Sequence, residues 1–103
     1  MLLTTTEALP GASYTILGLV RGSTVQCKNF GRDFMAGLKN LVGGEMESYT
    51  ELMNESRDIA TQRMTEQAER LGADAIVCVR YLSSEIAPGA AEVMAYGTAV
   101  KFT

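Results

Sequence analysis

The stretch GGEMESYTELMNESRDIATQRMTEQAERLGADAIVCVR, residues 43–80, decides the fold. It opens on a glycine pair, runs through a long segment of helical periodicity, stops at Gly72 and then alternates through 73–80. At 3.6 residues per turn, Tyr49, Met53, Ser56, Ala60, Met64, Gln67 and Leu71 share one face, with Leu52 and Ile59 beside them. Glu47, Glu51, Asn54, Asp58, Gln62, Thr65 and Glu69 lie opposite, the polar side that a half-buried helix turns to water. Glu45 and Glu47 suit the positive end of the helix dipole and Arg70 suits the negative end. Gly72 is the natural residue just past the C-terminus, because glycine enters the left-handed region at no steric cost. The helix is therefore predicted from 45 or 47 to 71. Arg63 and Gln67 fall on or beside the apolar stripe, so that edge must be wet or must find an acceptor on another chain.

After Gly72, Ala75, Val77, Val79 and Tyr81 point one way and Ile76, Cys78, Arg80 and Leu82 the other, which predicts a strand with little polarity on either face. Residues 83–89 read as the loop of a wide hairpin with Pro88-Gly89 as its turn, and 92–102 return as the last strand. That strand places Met94, Tyr96, Thr98, Val100 and Phe102 on one face and the smaller Val93, Ala95, Gly97 and Ala99 on the other, a surface against which a helix can come close. Before the glycine pair, residues 32–42 carry a helical stripe of Phe34, Met35, Leu38, Leu41 and Val42, so two helices joined by a short hinge are expected. Further upstream, 2–6 and 14–20 read as strands, 21–24 loosen the pattern, and 25–29 form a connector of undecided form.

The order is thus ββααββ: an α+β domain with a mostly antiparallel sheet and two helices packed on one face. At 103 residues the chain is one domain with room for a modest core. Nine basic against twelve acidic residues give a net charge of −3 with no basic run, which leaves nucleic acid and anionic membranes without an electrostatic footprint. No apolar run approaches the ~20 residues of a membrane span, and the N-terminus lacks the basic start of a secretory signal, so a cytoplasmic protein is expected. Cys27 and Cys78 are too few and too far apart for a disulfide framework or a zinc ribbon. Two helices cover only one face of a four-stranded sheet, yet three strands are apolar on both faces. The chain's own copies are the expected cover, and a homo-oligomer follows.

The run Asn29-Phe30-x-Arg32-Asp33-x-x-Ala36-Gly37-x-Lys39-Asn40-x-Val42-Gly43-Gly44, then Tyr49, Arg57 and Ala60, then Ala68-x-x-Leu71-Gly72-Ala73-Asp74-Ala75 and finally Gly97-Thr98-Ala99-Val100 resembles the YbjQ-like family of small prokaryotic proteins. The likeness spans nearly the whole chain in order and spacing. It implies a compact subunit that forms a ring-shaped homopentamer of undetermined biochemical function, some of whose members carry the label "putative heavy-metal-binding". Ser56 departs from the pattern where alanine is common, and Cys78 where a small residue such as glycine is common.

Residue types bound the sites this chain can build. The chain has no histidine and no Cys-x-x-Cys, so one copy builds no ordinary soft-metal site, and only Cys27 or Cys78 from symmetry-related copies could converge on one. Glu51, Glu55 and Asp58 read as a solvated helix side, not as a calcium loop. Gly43-Gly44 precedes a helix, but Glu45 and Glu47 occupy the end that a phosphate would use, and no nucleotide-binding glycine motif exists. No catalytic constellation and no cofactor site is visible. Arg32, Asp33, Tyr49 and Arg57 remain as candidates for an intersubunit or ligand site, with ion pairing at subunit contacts as the simpler role. The expected function is a non-catalytic oligomeric module that binds a small ligand or partner at intersubunit clefts; the alternative is metal binding or sequestration through symmetry-related thiols or carboxylates.

Overall fold

The computed structural model describes residues 1–27 and 47–103, and the side chains from residue 50 onward in the second segment. Among the described residues, four strands and one helix occur in the order ββαββ: β1 (Leu2–Leu3), β2 (Tyr14–Cys27), α1 (Glu47–Arg70), β3 (Ala75–Ala87) and β4 (Ala90–Phe102). They form one mixed sheet of order β1-β3-β4-β2, with β1 parallel to β3 and the β2–β4 and β3–β4 pairs antiparallel. The helix expected over 32–42 and the glycine hinge at 43–44 lie outside the described residues.

The long helix ends as its sequence demands. Gly72 adopts a φ of 79°, its N–H donates to the Glu69 carbonyl at 2.9 Å, and the Ala73 N–H reaches the Ala68 carbonyl at 3.1 Å. This is the Schellman arrangement, in which two otherwise orphaned carbonyls of the last turn find donors. Ser56, Ala60, Met64 and Ala68 are buried against Val20, Ile76, Val79, Val93, Ala95 and Ala99. The stripe is therefore the expected one with two amendments: Ala68 joins it, and Leu71 is 49 % exposed because the cap has already turned the chain away. The small face of β4 does admit the helix, and β2 adds a closer contact at Gly22. A Cβ there would lie 2.7 Å from the Arg63 Cβ and closer still to the Ala60 carbonyl oxygen and the Met64 amide nitrogen.

Three strand readings change. β2 continues to Cys27, because 21–27 pair in unbroken register with 90–96 of β4 and turn Val20, Gly22 and Thr24 toward the helix. The expected loop over 83–89 is strand as far as Ala87; only Pro88 and Gly89 turn, with Gly89 at φ 77°, the glycine requirement of a type II turn. At the N-terminus only Leu2–Leu3 pair as a strand, although the Thr4 and Thr6 carbonyls still accept from the Val79 and Cys78 amides.

The faces of β3 also change, and the cause is a bulge. Val77 pairs with Thr98 but Arg80 pairs with Tyr96, so β3 carries one residue more than β4 between these points. Cys78 sits there with φ 55°, and it shifts the alternation of all that follows. Ile76 and Val79 thus share the helix side, while Ala75, Val77 and Cys78 face away with Val100. The even/odd split expected from unbroken alternation fails at this one residue. Two more bulges follow: across β4, Ile16 pairs with Val100 and Gly18 with Ala99, leaving Leu17 unopposed, and near the turn Glu85 pairs with Ala91 and Ala87 with Ala90, leaving Ile86 unopposed.

The face away from the helix is partly closed by the chain itself. Leu9 and Tyr14 pack on Ala75, Val77 and Val100, and the Tyr14 hydroxyl donates to the Glu7 carbonyl at 2.7 Å. Beyond that patch no described residue covers the face, and the molecule is elongated, with extents of 56 × 25 × 16 Å and a radius of gyration of 17.3 Å, against about 13 Å for a compact chain of this length.

Candidate functional site

Of the four polar candidates, Arg32 and Asp33 lie outside the described residues, as does the side chain of Tyr49, whose backbone is in the helix. Arg57 is exposed on the helix, and its Nη1 donates to Asn54 Oδ1 at 3.1 Å, a contact one turn back along the same helix. Among the described residues it has no ion pair; the one salt bridge there joins Lys101 to Asp74 at 3.9 Å on the surface. The other arginines near the stripe serve the fold. Arg63 Nη1 donates to the Ser23 carbonyl at 2.7 Å, and Gln67 Oε1 accepts from the Arg21 N–H at 2.7 Å. The acceptor that the sequence left open for Arg63 is thus the edge of this chain's own β2.

The heavy-metal reading meets a geometric obstacle within one copy. No three His, Cys, Asp or Glu residues gather among the described residues. Cys27 stands opposite Ala90 at the far end of β2, whereas Cys78 lies beside Gly97. Seven residues of strand separate those levels, about 24 Å, against a metal–sulfur bond of about 2.3 Å. Cys27 is exposed and Cys78 half-buried, and both lie on the face away from the helix. The residues described do not fit a metal centre in a single chain. Hydroxyls offer no better chemistry: Thr61 meets the Tyr81 hydroxyl at 2.7 Å, Thr4 meets Thr6 at 2.9 Å and Ser13 meets Thr103 at 2.9 Å. Such pairs orient side chains but do not activate a nucleophile.

What the structure does gather is an apolar surface. Register places Ile16, Leu19 and Val25 of β2, Met94 and Phe102 of β4 and Leu82 of β3 on the face opposite the helix. Leu19 is 68 % exposed, Ile16 65 %, Leu82 57 %, Val25 50 % and Phe102 43 %. Scattered exposed leucines are ordinary, but several on one sheet face mark an interaction surface; Arg21, Ser23 and Arg80 divide it into a part around Ile16, Leu19 and Phe102 and a part around Val25, Met94 and Leu82. Sequence alternation found most of this face. It missed Leu82's true neighbours, because the bulge at Cys78 and the strand over 83–87 carry no signal in a period-two pattern.

Comparison with known proteins identifies the family and supports the fold. A family model described as "Putative heavy-metal-binding" matches residues 1–103. A UPF0145 protein of Clostridium novyi is 55 % identical over 101 residues, covering 98 % of each chain. One from Vibrio parahaemolyticus is 55 % identical over 102 residues, covering 98 % of this chain and 97 % of its own, and one from Thermotoga maritima is 54 % identical over 102. A crystal structure from Pediococcus pentosaceus, described as a protein of unknown function of the DUF74 family, superposes with a TM-score of 0.67 over 100 % of this chain and 98 % of that one. At 20 % identity that likeness speaks for the fold alone. With a family model matched from end to end and relatives above 50 % identity, the chain belongs to the YbjQ-like family of UPF0145 proteins.

Proposed function

We propose that the protein is a non-catalytic subunit of a cytoplasmic homo-oligomeric ring whose intersubunit clefts receive a small ligand or partner. One observation carries the reading: the sheet face opposite α1 holds several exposed apolar side chains, with Leu19 and Ile16 each about two-thirds exposed. Removing such side chains from water is worth about 25 cal/mol per Å², and a second copy offers the complementary surface at no cost in new sequence. The number five comes from the resemblance to the YbjQ-like pattern, since an apolar face alone selects no symmetry. Arg32, Asp33, Tyr49 and Arg57 are assigned to the clefts of that ring, where ion pairing between copies or ligand contact is their role.

Metal sequestration through symmetry-related thiols or carboxylates ranks below this reading, because it needs Cys27 or Cys78 of different copies to converge, and the described residues of one copy gather no three ligands on which to build. Light scattering at micromolar concentration tests the assembly. A mass near 55 kDa, five times the 11.1 kDa chain, is expected. A mass of 11.1 kDa refutes it.

A further inference from the structure

Successive amides of an unbroken strand point to opposite borders of the strand. At the bulge of β3 those of Cys78 and Val79 both point outward, and residues 4–6 receive them: Cys78 donates to the Thr6 carbonyl at 3.2 Å and Val79 to the Thr4 carbonyl at 2.9 Å. A bulge leaves its extra residue without a place in the ladder, and here the Cys78 amide finds its acceptor in this segment. The carbonyl between the two is held as well. Arg80 Nη1 donates to the Thr5 carbonyl at 3.1 Å and to the Val79 carbonyl at 2.9 Å. Three neighbouring carbonyls are thus gripped by three neighbouring residues of β3.

The segment brings its own shape to this seat. The Thr4 and Thr6 hydroxyls lie 2.9 Å apart, the Thr6 N–H donates to Thr4 Oγ1 at 3.2 Å, and Thr6 Oγ1 donates to the Ala8 carbonyl at 3.1 Å. On either side of the seat one leucine anchors each face. Leu3 packs on the helix-side core, whereas Leu9 packs on Ala75, Val77 and Val100 of the other face. Residues 4–9 therefore cross the border of the sheet as a strap, with Leu9 as its plug.

The strap is held more weakly than the strand beneath it. Ala75, Ile76 and Val77 are at most 2 % exposed, while residues 5–8 are exposed and Thr4 and Leu9 are half-buried. Few buried apolar contacts and hydrogen bonds within reach of water place a segment at the low end of local stability. Because neighbouring carbonyls share one seat, losing that seat breaks their bonds together.

We propose that residues 4–9 are a releasable strap, which opens as one unit while β2, β3, β4 and α1 stay folded. Opening uncovers the apolar patch of Ala75, Val77 and Val100 and the Cys78 thiol that packs on it. The device is built from contacts within one chain, so it stands apart from the assembly proposed above.

Native-state hydrogen exchange reads the opening. The Cys78 and Val79 amides are expected to exchange with one opening constant, faster than the Ala60 and Met64 amides in the buried middle of α1. Leu9→Ala removes the plug; it is expected to quicken both strap-bound amides by about 5–30-fold and to leave those of Ala60 and Met64 unchanged. In a Cys27→Ser background Cys78 is the one remaining thiol, and its alkylation by iodoacetamide is expected to quicken by the same factor. If Leu9→Ala does not fold, Arg80→Gln at an exposed position replaces it, with about 2–5-fold expected for the lost grip on Thr5. Strap-bound amides that exchange no faster than those of Ala60 and Met64, or that fail to respond together to the variant, overturn the strap. An alkylation rate that stays fixed while the amides quicken overturns the uncovering of the thiol.

Discussion

Gly22 fixes how close the helix lies to the sheet, and Gly22→Ala measures what that closeness is worth. The glycine is buried, and its φ is not in the left-handed region, so backbone freedom is not the reason for it. Space is the reason. An alanine Cβ would meet the Arg63 Cβ at 2.7 Å and press on the backbone of Ala60 and Met64, where carbon atoms prefer separations of about 3.5–4.0 Å. Backbone cannot rotate out of the way as a long side chain can, so the helix must lift by about 1 Å. Lifting loosens Met64 and Ala60 from Val20 and Ala95, and it stretches the two 2.7 Å bonds from Arg63 and to Gln67 that bracket the contact. Overpacking of this kind costs about 1–3 kcal/mol, offset by about 0.4–1 kcal/mol because alanine stiffens the unfolded chain. The net loss of about 1–2 kcal/mol corresponds to a fall in Tm of about 5–15 °C for a domain of this size. Thermal unfolding followed by circular dichroism is the assay, at matched protein concentration because an assembling protein gains Tm with concentration. Gly72→Ala is the control: nothing lies within 4 Å of its Cβ and its φ is 79°, so it loses stability through backbone strain alone. A Gly22→Ala protein that melts at or above the wild-type temperature refutes the close-approach argument.

Two further substitutions read the positions that depart from the family pattern. Cys78→Gly relieves a left-handed conformation that costs a non-glycine residue about 1–2 kcal/mol, less the gain in unfolded-chain entropy and the loss of a half-buried thiol; a gain of up to about 1 kcal/mol in urea unfolding is expected, and a clear loss shows that packing of the sulfur dominates. Ser56→Ala deletes a buried hydroxyl whose 2.7 Å bond merely returns to the Leu52 carbonyl one turn back. Alanine favours the helix by about 0.5 kcal/mol, so unchanged or slightly raised stability is expected, and a loss above about 1 kcal/mol contradicts it.

Periodicity made the helix legible, since Ser56, Ala60 and Met64 recur at its spacing and Gly72 closes it through a rule that depends on one residue type. The small face of β4 was legible for the same reason. Bulges were not. Nothing in Val77-Cys78-Val79 distinguishes an inserted residue from the next step of an alternation, and a hydrogen-bond register shared with β4 is what exposes it. The strand over 83–87 was hidden by its composition, because Ser83-Ser84-Glu85 looks like loop until Pro88-Gly89 is seen to be turn enough. The candidate site was least legible. Arg32 and Asp33 stood out by their place in a family run, whereas the surface gathered by the sheet depends on which strands are neighbours, a relation no local window contains.

Two of the bulges flank β4 within a few residues of each other, at Leu17 on one side and Cys78 on the other. Each holds a spare residue. Val77 and Cys78 already share the face away from the helix, so a gene that lost the codon for Cys78 would pass from Val77 straight to Val79 in plain alternation and leave Tyr81 and Leu82 on the faces they now hold. A codon lost from the regular ladder has no such slack, because one step there exchanges the two faces of all that follows.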